Sequence, residues 1–305
     1  MVVPGLGFLP QAPSMENGSE TRIAAARTTV KVAVGLVLVK GATFLLTGSS
    51  GVLGSALDSL LDVLASVLVF WAVITSGKPA DADHPWGHGK AEGLAALFQS
   101  LFILFSGLGL AIHTSQRFLS PSPAAVDFPW IAIGIIALSL LVTGWQVRRL
   151  RQVAAKTGSP ALAADSEHYA SDIFLNLGVI AGLALTELLG GRAWPDLLVG
   201  LAIAIWILNT AREVFLQALD SLMDRGLLPN EAAAILNTVS KFSPKVAGFH
   251  DLRTRRSGAE VFIEIHLDID RNLSFVEAHD LSEEVGEALE AAVPRCQVTV
   301  HADPF

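Results

Sequence analysis

Cys296 is the only cysteine in the chain, which excludes an intrachain disulfide and any thiolate cluster within one copy. A metal bound here must be held through His and Asp. Charge is scarce as well: Asp, Glu, Lys and Arg together make up 16% of residues, against about a quarter in an ordinary soluble domain. Basic residues are not in excess. The formal net charge of -8 lacks the positive balance that phosphate binding needs, so no nucleic-acid partner is expected, and a carboxylate excess suits cations instead. The stretch from Met1 to Glu20 lacks the basic start of a secretory leader. Rich in Pro, Gly and Ser, residues 1–20 read as a disordered tail.

What the chain has is apolar length. Hydrophobic residues account for 51% of it. Val32 to Leu46 carries one charge, Lys40, while Leu94 to Gln116, Phe128 to Val147 and Leu197 to Thr210 carry none. A bilayer-spanning helix needs roughly 20 mostly apolar residues. Six such stretches can be drawn, at about 27–47, 52–76, 91–116, 128–147, 163–187 and 194–216. Gly48-Ser49-Ser50-Gly51, the pair Pro121 and Pro123, and Gly190-Gly191 punctuate them. An even count puts both termini on one side. Arg22, Arg27, Lys31, Lys78, Lys90, Arg148, Arg149, Arg151 and Lys156 all fall on that side, against Arg117 and Arg192 opposite. Basic loops face the cytoplasm, so both termini are expected there.

After a linker that begins near residue 217, composition turns to that of a small soluble domain. Pro229 to Val239 reads as a helix, Val246 to Arg255 as a strand and Ala259 to Asp270 as a second strand. In the latter, Val261, Ile263, Ile265, Leu267 and Ile269 alternate with polar neighbours. Ser274 and Glu277 form a capping-box signature for the helix that runs to about Val293, and Gln297 to His301 closes with a strand. The fold class is thus a mostly α membrane protein, with six transmembrane helices in residues 21–216, followed by a small cytoplasmic α+β domain of order αββαβ in residues 217–305. So small a domain favours association with a second copy.

Three clusters carry the chemistry. Asp58 and Asp62 lie one helical turn apart in an otherwise apolar segment, and His168 and Asp172 repeat that spacing in another. Carboxylates facing lipid are costly unless a cation compensates them. Together the four offer hard oxygen and imidazole donors without thiolate, suited to tetrahedral Zn²⁺ and tolerant of Cd²⁺, Fe²⁺ or Mn²⁺. Helix-packing hydrogen bonds or a proton relay are the bland alternatives. Asp165 and Glu167, near the start of the fifth span, read as a solvated mouth, while Ser55, Ser59 and Asn176 are candidates to orient the ligands. The second cluster is Asp81, His84 and His88 in the loop DADHPWGHGK, with Asp83 as a rival ligand. The third lies in the C-terminal domain: His250, His266, His279, His301 and Asp303. Asp251 is a possible secondary ligand there, and Glu260, Glu264 and Asp268 read as surface charges. His113, the one histidine outside the clusters, reads as packing or luminal.

Taken in order, DSLLD at 58–62, PADADHPWGHGKAE at 79–92, DSEHYASD at 165–172 and FHDLRTRRSGAEVFIEIHLDID at 249–270, then EAHD and VHADP, resemble the bacterial cation diffusion facilitators, in particular the ferrous-iron and zinc efflux branch. The resemblance covers nearly everything after Glu20. It implies a homodimer of six-span subunits in the bacterial inner membrane, with a ferredoxin-like, metallochaperone-type cytoplasmic domain. It also implies export of Zn²⁺ or Fe²⁺ in exchange for protons. On the matching positions it assigns a transport site to Asp58, Asp62, His168 and Asp172, and a loop site to Asp81, His84 and His88. A binuclear site, with Zn²⁺ as the expected metal, falls on His250, His266, His279, His301 and Asp303. Lys90 and Asp224 match a dimer-interface salt bridge. A membrane metal sensor or storage scaffold without turnover is the alternative, but it would not need four ligands midway through lipid. A membrane metalloenzyme would want an open coordination position beside a general acid or base, and no HExxH unit is present.

Overall fold

The computed structural model describes residues 13–47, 50–119, 129–189, 194–227 and 229–305. The expected tail up to residue 12, the breaks at Gly48-Ser49, Pro121, Pro123 and Gly190-Gly191, and Arg192 lie outside the described residues. Six long helices come first: α1 (Pro13–Thr47), α2 (Ser50–Ser76), α3 (Lys90–Leu119), α4 (Pro129–Thr157), α5 (Pro160–Leu188) and α6 (Trp194–Leu222). Among the described residues, four contain windows long and apolar enough to cross a membrane: Gly18–Leu46, Ala56–Ser76, Lys90–Gln116 and Leu197–Leu222. Several helices outrun the apolar pattern. α1 starts at Pro13 rather than after residue 20, α4 continues to Thr157 and α6 to Leu222. Apolar length marks where lipid ends, whereas these helices are carried further by packing and by residues such as Arg148 to Arg151 that favour helix in water.

The helical part is built as lipid demands. Its interior mixes small residues with a few large ones: Ala25, Ala26, Ala65, Ala72 and Ala161 are at most 1% exposed, beside fully buried Ile103, Leu150, Leu162 and Ile207. Large apolar side chains such as Leu38, Phe105 and Leu141 face outward. Hydrocarbon is as apolar as leucine, so close backbone packing rather than apolar burial must hold such helices together. Gly200 shows how close: a Cβ there would sit 2.5 Å from Thr114 Oγ1, on the neighbouring α3. α3 packs most extensively on α6, α1 on α2, and α5 runs against α3, α4 and α6.

One charge network is sealed at the end of this bundle. Arg22 Nη1 on α1 donates to Glu92 Oε1 at 2.5 Å, and Ser76 donates to the same oxygen at 2.7 Å. Ser159, just before α5, donates to Oε2. Glu92 is 0% exposed, and with both oxygens bonded a buried carboxylate is tolerable. This one residue ties α1, α2 and the start of α5 to α3.

The C-terminal domain follows as α7 (Pro229–Val239), β1 (Val246–Ser257), β2 (Glu260–Ile269), α8 (Phe275–Ala292) and β3 (Cys296–Pro304), the expected αββαβ order. Its sheet runs β1-β2-β3, antiparallel then parallel. The alternation in β2 does what its period requires: Val261, Ile263, Ile265, Leu267 and Ile269 are all at most 2% exposed and pack on Ile235 of α7 and Leu281, Val285 and Leu289 of α8. The capping box starts α8 as expected, with Ser274 Oγ and the Glu277 carboxylate each accepting from the other's backbone N–H.

Phe262, on the opposite face of β2, is also buried, because the α2–α3 loop lies over it. Trp86 meets its ring edge-on at 5.6 Å, and the Arg255 guanidinium lies 4.4 Å from the Trp86 ring centre and 4.5 Å from that of Phe262. Beside them Gly89 abuts the β1–β2 turn so closely that a Cβ would fall 2.3 Å from the Ser257 carbonyl oxygen. The loop that carries the second cluster is thereby held against the small domain.

Candidate metal centres

Helical periodicity brings the first cluster together. Asp62 on α2 and His168 and Asp172 on α5 present donor atoms that all lie within 4.8 Å of one another. His168 Nε2 is 3.4 Å from Asp62 Oδ1 and 3.9 Å from Asp172 Oδ2. The His168 side chain is 6% exposed, and neither ring nitrogen has a hydrogen-bond partner; Asp172 Oδ2 also lacks one. Such orphaned atoms are rare in folded interiors, and one cation could engage His168 Nε2 and Asp172 Oδ2 together. Asp58, one turn before Asp62, lies outside this trio but lines the same cavity of about 560 Å³, as does His113.

The neighbouring polar residues depart from the sequence reading. Asp165 is fully buried rather than at a solvated mouth: Gln99 Nε2 donates to its Oδ1 at 3.0 Å and its Oδ2 has no partner. The turn spacing that brings His168 inward also carries Asp165, three residues earlier, onto the α3-facing side. Glu167 does face water and pairs with Arg151 at 3.1 Å. Ser59 accepts from Lys40 Nζ at 2.7 Å, and Asn176 donates to the Asp172 backbone carbonyl, so neither hydrogen-bonds a ligand carboxylate. The Ser55 side chain is outside the described residues.

In the loop, Asp81 Oδ1 accepts from the backbone N–H groups of His84 and Asp83 at 2.7 and 3.0 Å. This turn leaves Oδ2 facing His88 Nε2 at 3.3 Å, with His84 Nδ1 3.4 Å from Oδ1. The His84 backbone N–H is the main reason the Asp81 carboxyl sits below its ordinary pKa. His88 Nδ1 is buried and unpartnered. The three residues converge within 4.8 Å. Asp83 contributes its backbone N–H to the turn, and its side chain is not part of that convergence.

The third cluster is made by strand register. His250 of β1 pairs with His266 of β2, which pairs with His301 of β3, so the three rings stand in a row with centroids 5.2 and 4.6 Å apart. Asp303, two residues after His301 and so on the same face, bonds His266 Nδ1 at 2.8 Å and lies 3.3 Å from His250 and 3.4 Å from His301. The His266 bond comes first among the causes that hold the Asp303 carboxyl below its usual range. Asp251 joins His250 and His266 within 4.8 Å. Asp268, expected as a surface charge, instead lies 3.2 Å from His250 Nδ1. Two residues beyond His266 it shares that residue's face, a period-two signal present in the sequence. His279 on α8 stands outside the row and lines an adjacent cavity with Asp303. Burial pushes the Cys296 thiol up to about 12, which keeps it protonated and unsuited to ligation.

Lys90 and Asp224 form an ion pair within one chain at 3.0 Å, with Arg255 3.7 Å from the other Asp224 oxygen. Arg225 pairs with Asp220 instead.

Comparison with known proteins places both domains in one family. The family model for the cation efflux transmembrane domain matches residues 28–223, and that for the cation efflux protein cytoplasmic domain matches residues 227–305. The chain is 38% identical over 280 residues to the cation-efflux pump FieF of Shewanella oneidensis, covering 92% of this chain and 93% of the relative. It is 40% identical over 280 residues to the pump of the same name from Cronobacter sakazakii, covering 92% of each. With both domains matched in order along nearly the whole length, the chain belongs to the cation efflux family of secondary transporters.

Proposed function

We propose that this protein is a divalent metal/proton antiporter that exports Zn²⁺ or Fe²⁺ from the cytoplasm across a bacterial inner membrane, with Asp58, Asp62, His168 and Asp172 as its transport site. The observation that carries the reading is the convergence of Asp62 and Asp172 on buried His168, with unpartnered donor atoms facing a cavity among apolar helices. Oxygen and imidazole donors without thiolate suit Zn²⁺ and Fe²⁺. The efflux pumps to which the chain is similar support outward transport of cations.

The coupling follows from ligand chemistry. Carboxylate and imidazole bind metal only when deprotonated, so loading releases protons and protonation from the far side expels the ion. α1 to α6 form six spans with both termini in the cytoplasm, a reading supported by the basic residues at one set of helix ends. Residues 217–305 comprise a linker and a domain that brings two copies together, with Lys90 and Asp224 contributing near the interface. Asp81, His84 and His88 form a loop site. His250, His266, His301 and Asp303, with His279 at the margin, form a domain site whose His and carboxylate donors fit Zn²⁺.

The test is metal uptake by sealed proteoliposomes under an imposed pH gradient. Uptake of Zn²⁺ or Fe²⁺ with opposite proton movement, lost in Asp62→Ala, is expected. Stoichiometric binding without flux under any gradient would contradict the proposal and favour a sensor.

A further inference from the structure

The cavity of the proposed transport site already contains a cation that belongs to the protein. Lys40 is the one charged residue between Val32 and Leu46. It lines the same cavity of about 560 Å³ as Asp58, Asp62, His168 and Asp172. Its Nζ donates at 2.7 Å to Ser59 Oγ, on a residue 1% exposed. Ser59 follows Asp58 by one residue and precedes Asp62 by three. At about 100° per residue its hydroxyl therefore flanks the strip of α2 that carries both carboxylates. The ammonium is thus held beside the acidic wall and not at the lipid surface.

Packing of α1 on α2 does not call for a charge. An apolar side chain would fill the space without the cost of placing an ammonium at membrane depth. That cost is reduced here by the carboxylates of the same cavity, which would otherwise face one another in a medium of low dielectric when no metal is present. A divalent ion at the same carboxylates would compete with the ammonium for them.

We propose that Lys40 is the tethered counter-cation of the transport site. Its ammonium compensates the aspartates in the empty state and withdraws as metal enters. By opposing the bound ion it keeps affinity low enough for release. Lys40 acts through the ligands and touches no metal; it is a positioning residue. The inference rests on reading Asp58, Asp62, His168 and Asp172 as the transport site.

The test is Zn²⁺ binding to the purified full-length protein, with the transport site defined as the component lost in Asp62→Ala. Lys40→Met should tighten that component by about tenfold, the order expected of one partly screened unit charge. Lys40→Gln, which keeps a hydrogen-bond donor but no charge, should tighten it similarly, and Lys40→Arg should return it toward the wild-type value. In proteoliposomes both uncharged variants should lower KM and kcat together, because release becomes slower. If the Asp62-dependent affinity is unchanged or weaker in Lys40→Met and Lys40→Gln while thermal stability falls, Lys40 is a packing residue and the proposal fails. If Asp62→Ala removes no binding component, the underlying site assignment fails and the role of Lys40 with it.

Discussion

The trio among the membrane helices and the cluster on the cytoplasmic sheet use the same donors in opposite ways. On the sheet, Asp303 is bonded to His266 at 2.8 Å and approached by His250 and His301, and the group is open to water. Among the helices, His168 is almost fully enclosed, its nitrogens unpartnered, and its carboxylate neighbours stand 3.4 and 3.9 Å away. A cluster whose members satisfy one another is at rest without metal. One that leaves polar atoms orphaned in low dielectric is not, and that asymmetry is what a site that must load and unload requires.

The largest expected effect breaks the membrane side of this comparison. His168→Ala or Asp172→Ala should reduce metal flux in proteoliposomes by more than the roughly 10–100-fold that changes outside a metal's own ligands cost. His266→Ala should leave much of that flux in place and instead remove an Asp62-independent component of Zn²⁺ binding to the full-length protein.

Glu92 sharpens the comparison from within the membrane domain, since it is a buried acid whose oxygens are all satisfied. Glu92→Ala would strand the Arg22 guanidinium and should cost about 3–5 kcal/mol, read as a large fall in the thermal unfolding temperature. Removing an orphaned ligand should cost far less stability than this. On the cytoplasmic side, Trp86→Ala should weaken the hold of the loop on Phe262 and Arg255 by about 0.5–1 kcal/mol, seen as faster hydrogen exchange along residues 80–89 with little change in global stability.

The smallest effect belongs to the capping box of α8. Ser274→Ala should destabilise the helix by about 1 kcal/mol, measured by hydrogen exchange across residues 275–292. Bonds from the Ser274 hydroxyl and backbone N–H hold the Glu277 carboxyl below its ordinary pKa. A depressed pKa means the ionised box stabilises the fold above the ordinary value and loses this contribution as pH falls through the folded value. The difference between wild type and Ser274→Ala should therefore shrink in acid.

How far the sequence could be read depended on whether one element or several made the feature. Asp58 with Asp62 and His168 with Asp172 were legible because the α-helical repeat alone puts residues four apart on one face. The buried row of β2 was legible from its period of two. His250, His266 and His301 could be grouped from the sequence as one cluster, but their side-by-side row could not be read there, since three strands in antiparallel and parallel register create it, with an irregularity in β1 just after His250. The burial of Asp165 is not legible in the sequence, because proximity to a helix start says nothing of what packs there; Gln99 on α3 donates to it. Lys40 stood out in sequence as a lone charge, but its place beside Ser59 depends on how α1 crosses α2. The ends of α1, α4 and α6 were likewise set by packing beyond the apolar runs.

In the proposed mechanism, metal bound at the site of Asp58, Asp62, His168 and Asp172 moves in exchange for protons. The most direct test is simultaneous recording of Zn²⁺ and proton flux in sealed proteoliposomes of wild type and Asp62→Ala under an imposed pH gradient. Opposite movement of the two ions is expected in wild type, reversing when the gradient is reversed, with neither flux in the variant. Zn²⁺ flux that ignores the pH gradient, or that persists in Asp62→Ala, would contradict it.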